Sequence, residues 1–403
     1  MSAALALSFI FGSTPALPKS PLFGDKKPKK EKFGSSLKRL KWDPVKQASV
    51  ETAGPIKVGT EATGDEALKL ETLLVAFDLL VVTRGSQRIV TGLKKDDFLV
   101  TEDDRPQQVE TFTLGDDASR PRSIILIVDG SASQEPYIQT STEAAKSLVN
   151  QLGLRDKMAI VTDDVELLVD FTDDKPKLAN ALDKLRKRVV DKQKFGLSAQ
   201  FTALYAALRE LTGDKETRPV IIFQTDGDEA SSFPDQTDAD LFAFLRRKMP
   251  AHDLRLKDIY AAAERTRATI YSVITDERVI DLSADEAYER LSGRRRAPSR
   301  PGRGFDPEAE RRMKLFTRVF QQGQLAALRV AALSGGWTAW LGKPEDADRI
   351  YSQILSDINH RYIIGYYPTN TERDGKLRHV KVEVKGHPEY RVHGRTAYYA
   401  PDR

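Results

Sequence analysis

From residue 122 to about 350, short β-branched apolar runs alternate with stretches of helical periodicity, while the segments on either side carry strand patterning alone. No other feature narrows the possible folds so far. Strand–helix alternation implies a mainly parallel sheet with helices packed on both faces. The run "SIILIV" at 123–128 is the first strand. A helix follows near 137–152, with Ala144, Ala145, Leu148 and Leu152 on one stripe. Strands are expected near 157–162 and 165–170, then a helix at 176–188 and another over "ALYAALREL". The run "PVIIFQT" at 219–225 is again a strand. Further on, "LKDIYAAAERTRATIYSVIT" reads as helix then strand. "LAALRVAALSGGWTAWL" reads as helix, Gly-Gly stop and short strand, and a last helix covers about 345–358.

The flanks constrain the rest. Before the alternation, Val75, Phe77, Leu79 and Val81 alternate with the other face of a strand, and Gly85, Gly92 and "EDDRPQ" mark turns. After it come "HRYIIGYYP", "LRHVKVEVKG" and "YRVHGRTAYYA". Neither set has enough strands to close a core alone. The economical arrangement pairs them in one β-sandwich, with the doubly wound α/β domain inserted between. The expected organisation is an N-terminal β segment at 67–116, an α/β domain at 120–358 and a C-terminal β segment at 359–403.

The remaining segments are polar or punctuated. Residues 18–66 are rich in Pro, Gly, Lys and Glu and read as a disordered basic linker. Residues 1–17 read as a signal peptide: an apolar run from Ala3 to Phe11, then Thr14-Pro15-Ala16 as a cleavage site, though the usual basic start is missing. The mature chain is therefore expected outside the cytoplasm. The segment "SGRRRAPSRPGRG" at 292–304 reads as an exposed loop, since no aromatics are interleaved to make a nucleic-acid contact. A net charge of +4 on 403 residues also argues against a general nucleic-acid binder. Without cysteine the chain has neither disulfides nor thiol chemistry, and no run approaches a membrane span.

The chemistry lies where apolar strands stop. In an open parallel sheet, ligands bind beyond the carboxyl ends of the strands. Asp129 sits at such an end, and Ser131 and Ser133 follow at alternate positions, which in an extended turn puts both hydroxyls on the carboxylate's side. Thr202 stands at the mouth of a helix in "FTALYAAL", after a loop at 196–200. Asp226 ends another strand in "FQTDGDEASS", with Gly227 allowing a sharp turn. Asp129, Ser131, Ser133, Thr202 and Asp226 are all oxygen donors, without His or Cys among them. Hard oxygen donors with few carboxylates suit Mg²⁺, with Mn²⁺ or Ca²⁺ as alternatives.

The stretches "IVDGSAS", "FTALYAAL" and "QTDGDE" resemble the metal-ion-dependent adhesion site (MIDAS) of von Willebrand factor A domains. The flanks "VTGLKKDDFLVTEDDRPQQVETF" and "RYIIGYYPTN…DGKLRHVKVEVKG…YRVHGRTAYYA" resemble more narrowly the VWA-related family described from Acidobacteria, over roughly residues 70 to 403. The resemblance implies an α/β VWA fold of Rossmann-like type. It also implies hydroxyl ligation by Ser131, Ser133 and Thr202, with Asp129 and Asp226 as outer or alternate ligands. A metal held mostly by neutral hydroxyls keeps much of its charge, so a carboxylate from a partner protein can complete its shell. Two departures stand out: Phe201 occupies a position that is often glycine, where it could narrow the metal rim, and the arginine-rich segment is unusual.

An enzyme is not expected. Ser131 is the obvious nucleophile, yet none of the five histidines, at 252, 360, 379, 387 and 393, accompanies its motif, so a Ser–His–acid triad is not expected. Two binding classes remain. One is a metal-dependent adhesion or protein-recognition module that takes an acidic residue of a protein partner. The other is an extracytoplasmic scaffold or assembly factor with a structural or degenerate metal site.

Overall fold

The structure, a computed structural model, describes residues 40–43, 48–51, 74–115, 121–191, 198–211, 217–229, 254–295 and 307–402. The expected signal peptide lies outside these residues, as does most of the 18–66 linker. Inside that linker, however, β1 (Leu40–Asp43) and β2 (Ala48–Glu51) pair antiparallel, with Leu40 opposite Glu51. The basic composition concealed these two short runs.

The N-terminal flank then supplies β3 (Val75–Thr83), β4 (Phe98–Glu102), β5 (Arg105–Gln107) and β6 (Val109–Leu114). The alternating region follows as β7 (Arg122–Val128), α1 (Glu135–Asn150), β8 (Lys157–Thr162), β9 (Leu167–Thr172), α2 (Lys175–Asp191), α3 (Gln200–Leu211) and β10 (Arg218–Thr225). It continues with α4 (Leu256–Arg265), β11 (Thr269–Thr275), α5 (Ala284–Arg295), α6 (Pro307–Leu333), β12 (Thr338–Leu341) and α7 (Ala347–His360). The C-terminal flank gives β13 (Tyr362–Tyr366), β14 (Leu377–Val384), β15 (Tyr390–His393) and β16 (Ala397–Tyr399). Helix α5 extends through 292–295, the first residues of the expected arginine-rich loop, because arginine is a good helix former. Residues 296–306 lie outside the described set.

The central sheet runs β12-β11-β10-β7-β8-β9 and is parallel except for β9 at its edge. Its strands are apolar on both faces because both faces are covered. Ile125, Ile127, Ile221 and Phe223 pack under α3, α4 and α6; Ile124, Leu126, Ile222 and Val273 pack under α1, α2 and α7. This is the α/β doubly wound architecture that the alternation predicts.

The flanks build two antiparallel sheets, β15-β3-β13-β6 and β16-β14-β4-β5. Each mixes strands from both ends of the chain. Ile364 of β13 lies opposite Phe77 of β3 on one side and Phe112 of β6 on the other, while β14 pairs with β4 from Val380–Glu102 to Val384–Phe98. Phe77, Phe98, Val100, Tyr362, Ile364, Tyr366 and Val380 share one core, with the Phe77 and Tyr366 rings stacked at 6.2 Å. The buried carboxylate of Glu102 accepts hydrogen bonds of 2.8 Å from the hydroxyls of both Tyr366 and Tyr398. The α/β domain is thus inserted in a β-sandwich, whose strands enter and leave it at the amino end of the central sheet.

Arginines fasten that junction. Arg361, fully buried between α7 and β13, donates to Asp357 at 2.9 Å, to the Tyr271 hydroxyl at 3.1 Å, and to the carbonyls of Gly335 and Asp78. Arg218 at the start of β10 reaches Asp78 and the carbonyl of Gly115. Arg395, near β16, donates to the carbonyls of Ala263 and Glu264 in the last turn of α4. A cation at a helix C-terminus meets unpaired carbonyls and the negative end of the dipole.

Candidate functional site

Strand β7 sits in the middle of the sheet. The chain leaves it towards β8 on one side and later returns to β10 on the other, so the carboxyl ends of β7 and β10 form the topological switch point. Asp129 extends β7 by one residue, its N–H bonded to the Gln224 carbonyl, and Asp226 extends β10. Both aspartates are buried. Gly227 at φ +85° turns the chain away at once. A side chain there would meet the backbone of Gln324 at 2.8 Å, and one at Gly323 would strike the Gly227 carbonyl, so α6 crosses the loop where both residues lack a Cβ.

Beyond β7, Ser131 precedes a single 3-10 turn (Ala132–Gln134) that leads into α1. The Ser131 N–H donates to Asp129 Oδ1 at 2.9 Å. The Ser131 and Ser133 hydroxyls lie 2.8 Å apart, and Ser133 donates to Asp226 Oδ2 at 2.6 Å. With Ser133 committed to the carboxylate, the hydrogen between the two serines comes from Ser131. Four of the five expected donors therefore form one connected set: Asp129, Ser131, Ser133 and Asp226.

Thr202 stands apart from that set. It is buried in the first turn of α3, and its hydroxyl faces Glu229 Oε1 at 3.5 Å. Glu229 also accepts the Phe201 N–H. The Phe201 ring packs edge-on against Phe223 in the core, with centroids 5.4 Å apart.

Two glutamines complete the site, and neither was singled out from the sequence. Gln200 Nε2 donates to Asp129 Oδ2 at 2.7 Å and to Asp226 Oδ1 at 3.0 Å, while its carbonyl accepts the Thr225 hydroxyl. Gln134 Nε2 lies 3.4 Å from Asp226 Oδ2, and its carbonyl accepts the Thr275 hydroxyl at 2.9 Å. The signal for Gln200 was a polar residue in the opening turn of an otherwise apolar helix, two positions before Thr202.

The electrostatics follow from burial. Desolvation, then the charges of Asp226 and Asp163, push the Asp129 carboxyl well above the usual range. Asp163, which accepts the Gly130 N–H at 2.9 Å, is raised to about 6 by burial and by Asp164. Among the described residues no Lys, Arg or His forms an ion pair with Asp129, Asp163 or Asp226. Nor do three His, Cys, Asp or Glu side chains gather as a metal cluster among them. A cation here would be held by hydroxyls together with one or both aspartates. That donor set fits a hard divalent ion in its chemistry, with Thr202 outside it as the structure stands.

Comparison with known proteins agrees with this topology. Residues 124–229 match the von Willebrand factor type A domain family. The match stops short of both β flanks, on which the narrower resemblance rests. No curated protein sequence matches the chain significantly. Among solved structures, the vWF domain of the type V pili tip protein Mfa5 from Porphyromonas gingivalis is 12% identical, over 60% of this chain and 96% of that one, at a TM-score of 0.37. BatB from Bacteroides thetaiotaomicron is 16% identical, over 59% and 98%, at 0.34. An aerotolerance-related membrane protein from Bacteroides fragilis is 13% identical, over 59% and 98%, at 0.35. Scores of this size carry no weight, and the assignment rests on the family match and the strand order. The inserted α/β domain is a von Willebrand factor type A domain.

Proposed function

We propose that the protein is a recognition module that grips a protein partner through a divalent cation, Mg²⁺ first, with Mn²⁺ or Ca²⁺ as substitutes. The observation that carries this reading is the pair of buried aspartates at the switch point, joined by serine hydroxyls at the surface and lacking an ion-paired basic side chain among the described residues. Buried carboxylates without a counter-charge are costly, and a cation offsets that cost. Asp129, Ser131, Ser133 and Asp226 would hold it, and Thr202 would join if its hydroxyl turned from Glu229. The cation supplies a Lewis-acidic position that an acidic side chain of the partner can complete. The reading is one of binding without a catalytic step. The leader pattern at 1–17 supports a place outside the cytoplasm. No helix among the described residues is long and apolar enough to cross a membrane.

The sandwich lies at the other end of the sheet. A seven-residue strand such as β7 spans roughly 23 Å, so a partner seated over Asp129 leaves the sandwich free. A second reading has its own support: the amide of Gln200 on both aspartates and the turn of Thr202 towards Glu229 favour a scaffold whose metal site is degenerate. Capture from the native envelope fraction separates the two. The adhesion reading expects a partner retained in Mg²⁺, released by EDTA and absent with Asp226→Asn. A partner held equally under all three conditions would establish the scaffold.

A further inference from the structure

We infer that Gln200 is a built-in competitor of the cation, and that displacement of its side-chain amide sets the affinity of the site. This rests on the cation reading of the same residues. Gln200 is fully buried, and each hydrogen-bonding atom of its amide is engaged. The two N–H bonds point at the two carboxylates, one each, at 2.7 and 3.0 Å. The carbonyl is pinned by the Thr225 hydroxyl, whose oxygen also accepts the Gly227 N–H at 2.9 Å. An amide that bridges two aspartates does electrostatically part of what a cation between them would do, with a neutral donor.

The oxygens at stake are few. Asp129 Oδ1 accepts the Ser131 N–H, and Oδ2 accepts the Gln200 amide. On Asp226, Oδ1 accepts from Gln200 and from the Asp228 N–H at 2.8 Å, and Oδ2 accepts from Ser133 and Gln134. A cation that draws on Asp129 Oδ2 must weaken or break the Gln200 bond. Bonds from a neutral amide to a carboxylate belong to the stronger class, so their loss opposes metal binding. The amide also needs somewhere to turn. Withdrawing it frees the Thr225 hydroxyl and removes the amide from a position two residues before Thr202. The sequence thus carries the five expected donors and, beside them, one residue that raises the cation concentration at which they are engaged.

The test compares the wild type with Gln200→Met, which keeps the volume and loses both donors, by calorimetric titration with MgCl₂ after EDTA treatment. The competitor account expects Gln200→Met to melt at a lower temperature in EDTA yet bind Mg²⁺ more tightly, by a factor on the order of ten, the effect of releasing one charge-assisted hydrogen bond. Equal or weaker binding by a folded Gln200→Met overturns the account while leaving the cation reading intact. Absence of binding by both proteins overturns the two together. The wild type gives an independent check should the variant not fold. On ¹⁵N-labelled protein, the Gln200 side-chain NH₂ signals should shift and lose protection from hydrogen exchange as Mg²⁺ is added. Signals that stay in place while calorimetry reports binding would overturn the proposal.

Discussion

The two ends of the central sheet bury carboxylates in opposite ways. At the amino end arginines meet them: Arg122 meets the buried Asp156, Arg361 the buried Asp357 at 2.9 Å, and Arg218 the half-buried Asp78. At the carboxyl end Asp129 and Asp226 are met by hydroxyls, amides and backbone N–H groups. One arrangement is closed, since each charge has its counterpart within the chain. The other lacks a counter-charge among the described residues. Strands β7 and β10 reach both ends, carrying Arg122 and Arg218 at the one and leading into Asp129 and Asp226 at the other. The difference marks the amino end as a structural joint, where the sandwich is bolted on, and the carboxyl end as the site of the proposed cation.

Breaking the closed end should have the largest effect. Asp357→Ala leaves Arg361 buried without its carboxylate, and loss of one partner of a buried pair costs about 3–5 kcal/mol. Chemical denaturation should show a loss of that size, unchanged by Mg²⁺. A loss below about 1 kcal/mol, the range of exposed pairs, would show that the Tyr271 and carbonyl contacts of Arg361 suffice.

A smaller effect, opposite in sign at the two ends, comes from pH. Burial raises Asp156, but the hydrogen bonds and charge of Arg122 outweigh it and hold the carboxyl below the usual value. Its contribution is therefore present above the unfolded value near 4 and is lost as pH falls through the lowered folded value. Asp163 and Asp129 run the other way. The unfolded chain releases their protons first, so folded stability declines as pH rises from about 4, up to about 6 for Asp163. In EDTA, Asp163→Asn should abolish part of the decline between those values, and Asp156→Asn should leave it intact. A wild-type stability flat across that window would remove the carboxyl-end penalty from the account.

The sequence exposed the frame of both ends and the wiring of neither. The alternation of strand and helix, the interleaved flanks and the Gly-Gly stop after α6 were legible because period and punctuation are local. Asp129, Ser131, Ser133 and Asp226 were legible because they lie immediately beyond apolar strands. Gln200 and Gln134 were not, since what distinguishes them is a partner 71 or 92 residues away. Arg361 follows a helix-ending His360 and looks like an ordinary C-terminal cation until the strand from the other flank arrives beside it. The orientation of Thr202 towards Glu229 and of the Phe201 ring into the core depends on side-chain direction in the first turn of α3, which spacing alone leaves open.

The central proposal is that a divalent ion supplies the positive charge that the carboxyl end lacks among the described residues. Calorimetric titration of MgCl₂ into the EDTA-treated wild type and Asp129→Asn tests it most directly, with melting curves in EDTA to show that both are folded. The account predicts saturable binding at one site in the wild type, its loss in Asp129→Asn, and a variant that melts no lower than the wild type in EDTA, because the amide removes a buried charge. Equal heats from the two proteins, or no binding by a folded wild type, would contradict it.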